Sequence, residues 1–198
     1  MSSTTLYVIE RDGSISERTS YSNSHGSAPA VWSTLSAKYI PNTTQLGERW
    51  QEGQRHWMLG DPPASADLWK LANAGGMQDF ERRTCWTTYD RACVRTEDLL
   101  LYADALAEFA RVYGPIHERL GRAFHIGKMA DDLRAVHAES EAKGWRGVAW
   151  NQTSVADTWY PRTPTECDDD DNYDDCIPYN VDEFGCTWLP SEGVEILA

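Results

Sequence analysis

The chain has 198 residues, of which 41% are hydrophobic and 25% charged, the balance of an ordinary folded protein of one domain or at most two small ones. Its apolar runs are only a few residues long, which excludes a membrane-spanning helix. Eighteen basic against 31 acidic side chains exclude a chain built throughout to grip nucleic acid, and Met1-Ser2-Ser3-Thr4-Thr5 lacks the basic-then-apolar pattern of a secretory signal.

Residues 5–10 and 14–18 are β-branched and aromatic, and Asp12-Gly13 between them supplies the positive φ of a tight hairpin turn. Residues 20–26 are small and polar and read as loop. Ser27 is placed to cap a helix that runs to Tyr39, with Pro29 in its first turn and Val31, Trp32, Leu35 and Tyr39 on one face. Residues 42–60 are ambiguous, because Gly47 and Gly53 interrupt a helix carrying Leu46, Trp50 and Trp57. Asp61-Pro62-Pro63 reads as a break, followed by a short helix capped by Ser65, with Leu68 and Leu71 inward and Gly75-Gly76 as its stop. Met77–Arg82 adds at most one turn. Residues 84–89 then read as a strand, with Ala92–Arg95 as its continuation or partner. Thr96 is expected to cap a helix ending at Tyr113, with Leu99, Tyr102, Leu106, Phe109 and Tyr113 inward and Gly114-Pro115 as terminator. A second helix spans 126–142 and closes on Gly144, and 146–152 reads as strand. Beyond Trp159 the chain reads as loop, with short strands expected at 186–189 and 193–197.

The charge is concentrated in one place. Residues 1–150 hold 19 acidic and 17 basic side chains, a net of −2, whereas 151–198 hold 12 acidic residues and Arg162, a net of −11. Its centre is Glu166, Asp168, Asp169, Asp170, Asp171, Asp174 and Asp175. Such a block repels itself and belongs on a surface. Tyr173 lies within it, and Trp159 and Tyr179 flank it, supplying the aromatic anchors that interfaces favour. Asp168, Asp170 and Asn172 match the first ligand positions of an EF-hand. Tyr173 stands where its glycine belongs and Tyr179 where its bidentate glutamate belongs, so that pattern is rejected.

Five cysteines without a secretory signal imply a reduced, cytoplasmic setting. Cys85 and Cys93 are read as buried filler and not as nucleophiles. Cys167, Cys176 and Cys186 are expected to be partly exposed. They lack the close pair that structural zinc prefers; a zinc site recruiting a histidine, or a disulfide between two of the three in an oxidising setting, is the minor alternative. Phosphate-binding glycine loops, the nucleophile elbow and the zinc-protease helix are all missing. His125 and His137 are read as helix-end residues, and Arg82, Arg83, Arg91 and Arg95 as surface charges that find partners. Most of the nine tryptophans are assigned to the core.

Together these features predict a single compact α+β domain with one mainly antiparallel sheet and about four helices. Residues 1–160 form the core and 161–198 an acidic, loop-rich segment. The predicted function is non-enzymatic: an acidic, aromatic-containing surface offered to a basic, nucleic-acid-handling protein, with no cofactor or resident metal and no direct contact with nucleic acid or membrane. The competing readings are a small enzyme using His or Cys chemistry, and a divalent-metal module at the aspartate-rich run.

Overall fold

The computed structural model describes residues 3–22, 26–40, 62–89, 92–152, 165–166, 177–178 and 180–191. Expectations for 42–60, for 193–197 and for Trp159 lie outside them.

Strands β1 (Ser3–Ile9) and β2 (Ile15–Ser22) form the expected hairpin. Asp12 Oδ1 accepts from the Ser14 amide at 3.1 Å and its hydroxyl at 2.6 Å, and Gly13 takes φ 86°. A side chain at Gly13 is doubly excluded, since a Cβ there would lie 2.6 Å from both Asn180 Oδ1 and Asp182 Oδ2. Strand β2 continues to Ser22 through residues expected as loop. The register shifts between Leu6 and Tyr7, leaving Arg18 as a bulge, and Tyr21 then turns inward at 3% exposure to anchor the extension.

Helix α1 (Ala28–Tyr39) carries Pro29 in its first turn and buries Val31, Trp32 and Leu35, as expected. Ser27 precedes it without capping it. Its hydroxyl accepts instead from Thr4 Oγ1 at 3.0 Å, stitching the helix start to β1. Helix α2 (Pro62–Asn73) begins on the prolines that had been read as a break and contains Ser65 in its interior. Proline lacks only an amide hydrogen that a first turn leaves unpaired anyway.

The largest departure is α3 (Asp79–Trp86), followed by a turn through Tyr89, where residues 84–89 had been expected to form a strand. Helical pairing decides it. Asp79 takes Arg83 Nε at 2.8 Å one turn on and also pairs with Arg82, while Glu81 Oε2 accepts from the Gln78 amide at 3.3 Å. Every residue from Glu81 to Tyr89 is buried, so apolar, β-branched composition there reports burial rather than a strand. Arg82 and Arg83 are consequently interior, with 8% and 6% of their side chains exposed, and not surface charges.

Strand β3 (Ala92–Arg95) leads through a 3-10 turn (Thr96–Asp98) into α4 (Leu99–Arg119). Leu99, Tyr102, Leu106 and Phe109 are buried as expected. Thr96 does not cap the helix, and its hydroxyl donates to the Trp145 carbonyl at 2.9 Å. Gly114-Pro115 does not end the helix either. The extra turn keeps its place because His117, fully buried, meets Thr34 Oγ1 at 3.0 Å and stacks on Phe124 at 4.4 Å. These contacts offset the backbone bond that a proline removes. Helix α5 (Ile126–Lys143) closes on Gly144 in the left-handed conformation, and β4 (Gly147–Gln152) follows.

Four short elements complete the chain: β5 (Thr165–Glu166), β6 (Ile177–Pro178), α6 (Val181–Phe184) and β7 (Thr187–Trp188). The result is an α+β fold with six α-helices among the described residues, against about four expected. Its five-stranded sheet has the order β2-β1-β4-β3-β7 and is antiparallel except for the β3–β7 pair. Strands β5 and β6 form a separate antiparallel ladder. No helix among the described residues is long and apolar enough to cross a membrane.

Strand alternation sorts the sheet into two faces. Leu6, Val8, Val94, Val148 and Trp150 point to α1–α5 and share the main core with Trp32, Trp86, Tyr102, Leu106, Phe109 and Leu133. Ile9, Cys93 and Ala149 point the other way, into a smaller cluster with Val181, Ile15, Cys186 and Trp188.

Candidate functional site

Of the predicted interface residues, Glu166 lies in β5, paired with Ile177 of β6. Asp168, Asp169, Asp170, Asp171, Tyr173, Asp174, Asp175, Trp159 and Tyr179 fall outside the described residues. Residues 167–176 lie in sequence between these two paired strands. Further along, Asn180 and Val181 dock on the hairpin turn. Asn180 Nδ2 donates to the Asp12 carbonyl at 3.0 Å and the Val181 amide to the Gly13 carbonyl at 2.9 Å. The Leu189 amide then donates to the Cys93 carbonyl at 2.8 Å, and the Pro190 carbonyl accepts from Arg83 Nη1 at 3.1 Å and from the Tyr102 hydroxyl at 2.9 Å.

The chemistry-bearing side chains of the described residues gather where β3, β4 and β7 meet. Arg95, Thr96, Glu97, Trp145, Arg146 and Trp188 line an open cleft of about 380 Å³. Arg95 is exposed, and its guanidinium lies 4.8 Å from the Trp188 ring centre. Arg146 is fixed by the Asp182 carboxylate, with Nη2 3.0 Å from Oδ1 and Nη1 bonded to Oδ2. The cleft therefore holds one committed guanidinium, one exposed guanidinium and two indoles. Thr96 sets its floor, since its amide donates to the Arg146 carbonyl at 3.1 Å.

On the same sheet face, Cys186 is half-buried and packs into the cluster that contains Cys93. Hydrogen bonding from Cys93 holds the Cys186 thiol below its ordinary range against burial; Arg146 and Arg95 act in the same direction and the Asp182 carboxylate opposes them. Cys93 itself is fully buried. Cys85 is also fully buried, in α3 rather than in a strand, and desolvation pushes its thiol up to about 12.

Two further polar groups are interior. The Glu81 side chain, fully buried, accepts from Lys38 Nζ at 2.7 Å and from the Tyr39 and Tyr113 hydroxyls. Burial opposes its ionisation, yet these donors together hold its carboxyl below the usual range. Glu81 thereby ties α1, α3 and α4 together and leaves no face to a ligand. His117, buried beside Arg122, is pushed down to about 4 by desolvation first and by the guanidinium second. No group of three or more potential metal-binding side chains occurs among the described residues.

The sequence places Arg95 only within a basic group and Trp188 only within an expected short strand, 186–189. It does not single out Trp145, Arg146 or the Cys93–Cys186 contact. The signal that finds them is strand parity: Cys93 and Arg95 alternate with Ala92 and Val94 and so share the face away from the helices. Comparison of the chain with protein-family models, with curated proteins and with solved structures returns no match.

Proposed function

We propose that this is a non-catalytic binding protein that presents the acidic segment 166–175, with Tyr173, Trp159 and Tyr179 as aromatic anchors, to a basic protein that itself handles nucleic acid. The observation that carries this reading is the confinement of charge. A net of −11 falls in residues 151–198 and −2 in the preceding 150, and the densest part joins the two strands of the β5–β6 ladder. The summed field of such an anionic strip steers a cationic partner and speeds encounter.

The test is a quadruple substitution, Asp168, Asp169, Asp170 and Asp171 each to Asn. Proteins captured from host lysate at low salt and released at high salt supply the partner, and association rates are then measured at two salt concentrations. The reading requires slower association and a shallower salt dependence in the variant, with an unchanged or slightly higher melting temperature. Equal binding by the variant overturns it. So does a Ca²⁺-dependent rise in melting temperature that the variant loses, which would make the segment a metal site.

A further inference from the structure

The geometry points to Cys93 and Cys186 as a reversible disulfide site that fastens the edge strand β7 to its neighbour β3, formed by reaction with a hydroperoxide. Neither the acidic-segment reading nor the cleft is needed for this. Three observations carry it. First, Cys93 stands opposite Trp188 in the parallel β3–β7 register, so Cys186, two residues earlier, projects to the same side as Cys93. Second, both residues pack into one small apolar cluster on that side of the sheet. Third, they differ in access: Cys93 is sealed at 0% exposure and Cys186 is half-buried.

That asymmetry sets the order of events. Of these two thiols only Cys186 meets a solvent-borne oxidant, and Cys93, Arg146 and Arg95 favour its thiolate over the opposing burial and Asp182 carboxylate. With hydrogen peroxide, the Cys186 sulfur forms an S–O bond, the O–O bond breaks, and the departing hydroxide takes up the thiol proton as water, leaving a sulfenic acid. The Cys93 sulfur then attacks the Cys186 sulfur. The S–S bond forms, the S–O bond breaks, and hydroxide leaves with the Cys93 proton as a second water. Two thiols and one peroxide thus give one disulfide and two waters, and an external dithiol reverses the reaction by exchange. The pairing differs from the one the sequence suggests, among Cys167, Cys176 and Cys186, and gives Cys93 a resolving role that buried filler does not have. Closure requires the sulfurs to come to bonding distance, which the two-residue edge strand β7 permits more readily than an interior strand.

The experiment uses the full chain, reduced and then exposed to a small excess of hydrogen peroxide. Remaining thiols are blocked, and the protein is digested without reduction and mapped by mass spectrometry. The expected result is a cross-linked peptide pair joining residues 93 and 186, recovered as two thiols after dithiothreitol, with a melting temperature several degrees higher in the oxidised protein. In Cys93→Ser, Cys186 should retain a sulfenic acid that dimedone captures. In Cys186→Ser, Cys93 should stay reduced and alkylate only after unfolding. The proposal is overturned if Cys93 remains a thiol while Cys186 passes to the sulfinic acid or joins Cys167 or Cys176, or if Cys186 resists oxidation altogether. Should Cys93→Ser fail to fold, the wild-type map and Cys186→Ser decide the question by themselves.

Discussion

On one side of the sheet, Leu6, Val8, Val94, Val148 and Trp150 meet side chains from five helices; on the other, Ile9, Cys93 and Ala149 meet Val181, Cys186 and Trp188 from the returning C-terminal chain. The first side is large, apolar and chemically inert. The second is small and holds the thiol pair, with the cleft arginines and indoles at its margin. Alternation along β3 and β4 makes this division, since neighbouring residues such as Cys93 and Val94 serve opposite faces. Stability is therefore expected to depend chiefly on the helix side, and reactivity chiefly on the other. Substitutions on each side test that separation.

The largest expected effect is on the helix side. Leu106→Ala should cost about 2–5 kcal/mol in urea unfolding, since the side chain is fully buried in the main core. A loss below about 0.5 kcal/mol would show that α4 is not held by this face.

Next comes a pH effect beneath the same helix. His117 titrates at about 4 in the folded chain and near 6.5 when unfolded, so between these values the unfolded chain binds a proton that the folded one refuses. Stability should fall as pH falls through that window, by about 3 kcal/mol in total, and level off below it. Glu81, whose carboxyl is held low, adds its own loss only at more acid pH, below about 4.5. The slope between pH 6.5 and 4.5 should flatten in His117→Gln, and an unchanged slope would remove His117 as its source.

Smaller effects belong to the opposite face. Val181→Ala removes a side chain that is 4% exposed against Ile9 and Ile15 and should cost about 1–2 kcal/mol. It should also speed hydrogen exchange at the Leu189 amide more than at amides of α4, because the loss is local. A uniform change would mean that the two faces unfold as one unit. Smallest in stability is Arg146→Gln. Its ion pair with Asp182 is exposed, and such pairs contribute little, so the melting temperature should hold. Alkylation of Cys186 at neutral pH should nevertheless slow, because one of the two cations favouring the thiolate is gone. An unchanged rate would remove Arg146 as a source of the thiol's acidity.

Features determined within a few residues were legible from the amino-acid order. The Asp12-Gly13 turn, Pro29 in the first turn of α1, the Gly144 stop of α5 and the buried stripe of α4 each depend on local φ preferences or on one helical period. The asymmetry of charge was equally plain. Tertiary contacts decided the rest. Residues 84–86 are helical because α3 is buried on all sides and pinned by Asp79–Arg83 pairing, which composition alone mistakes for a strand. Helix α4 passes Pro115 because His117 finds Thr34, 83 positions away. Cys93 meets Cys186, and Arg95 meets Trp188, only because β7 returns to the far edge of the sheet and pairs parallel to β3. A strand of two residues carries almost no propensity of its own, so the position of β7, and with it the thiol pair and the cleft, is set by the completed sheet edge and the docking of Asn180 and Val181 on the hairpin turn.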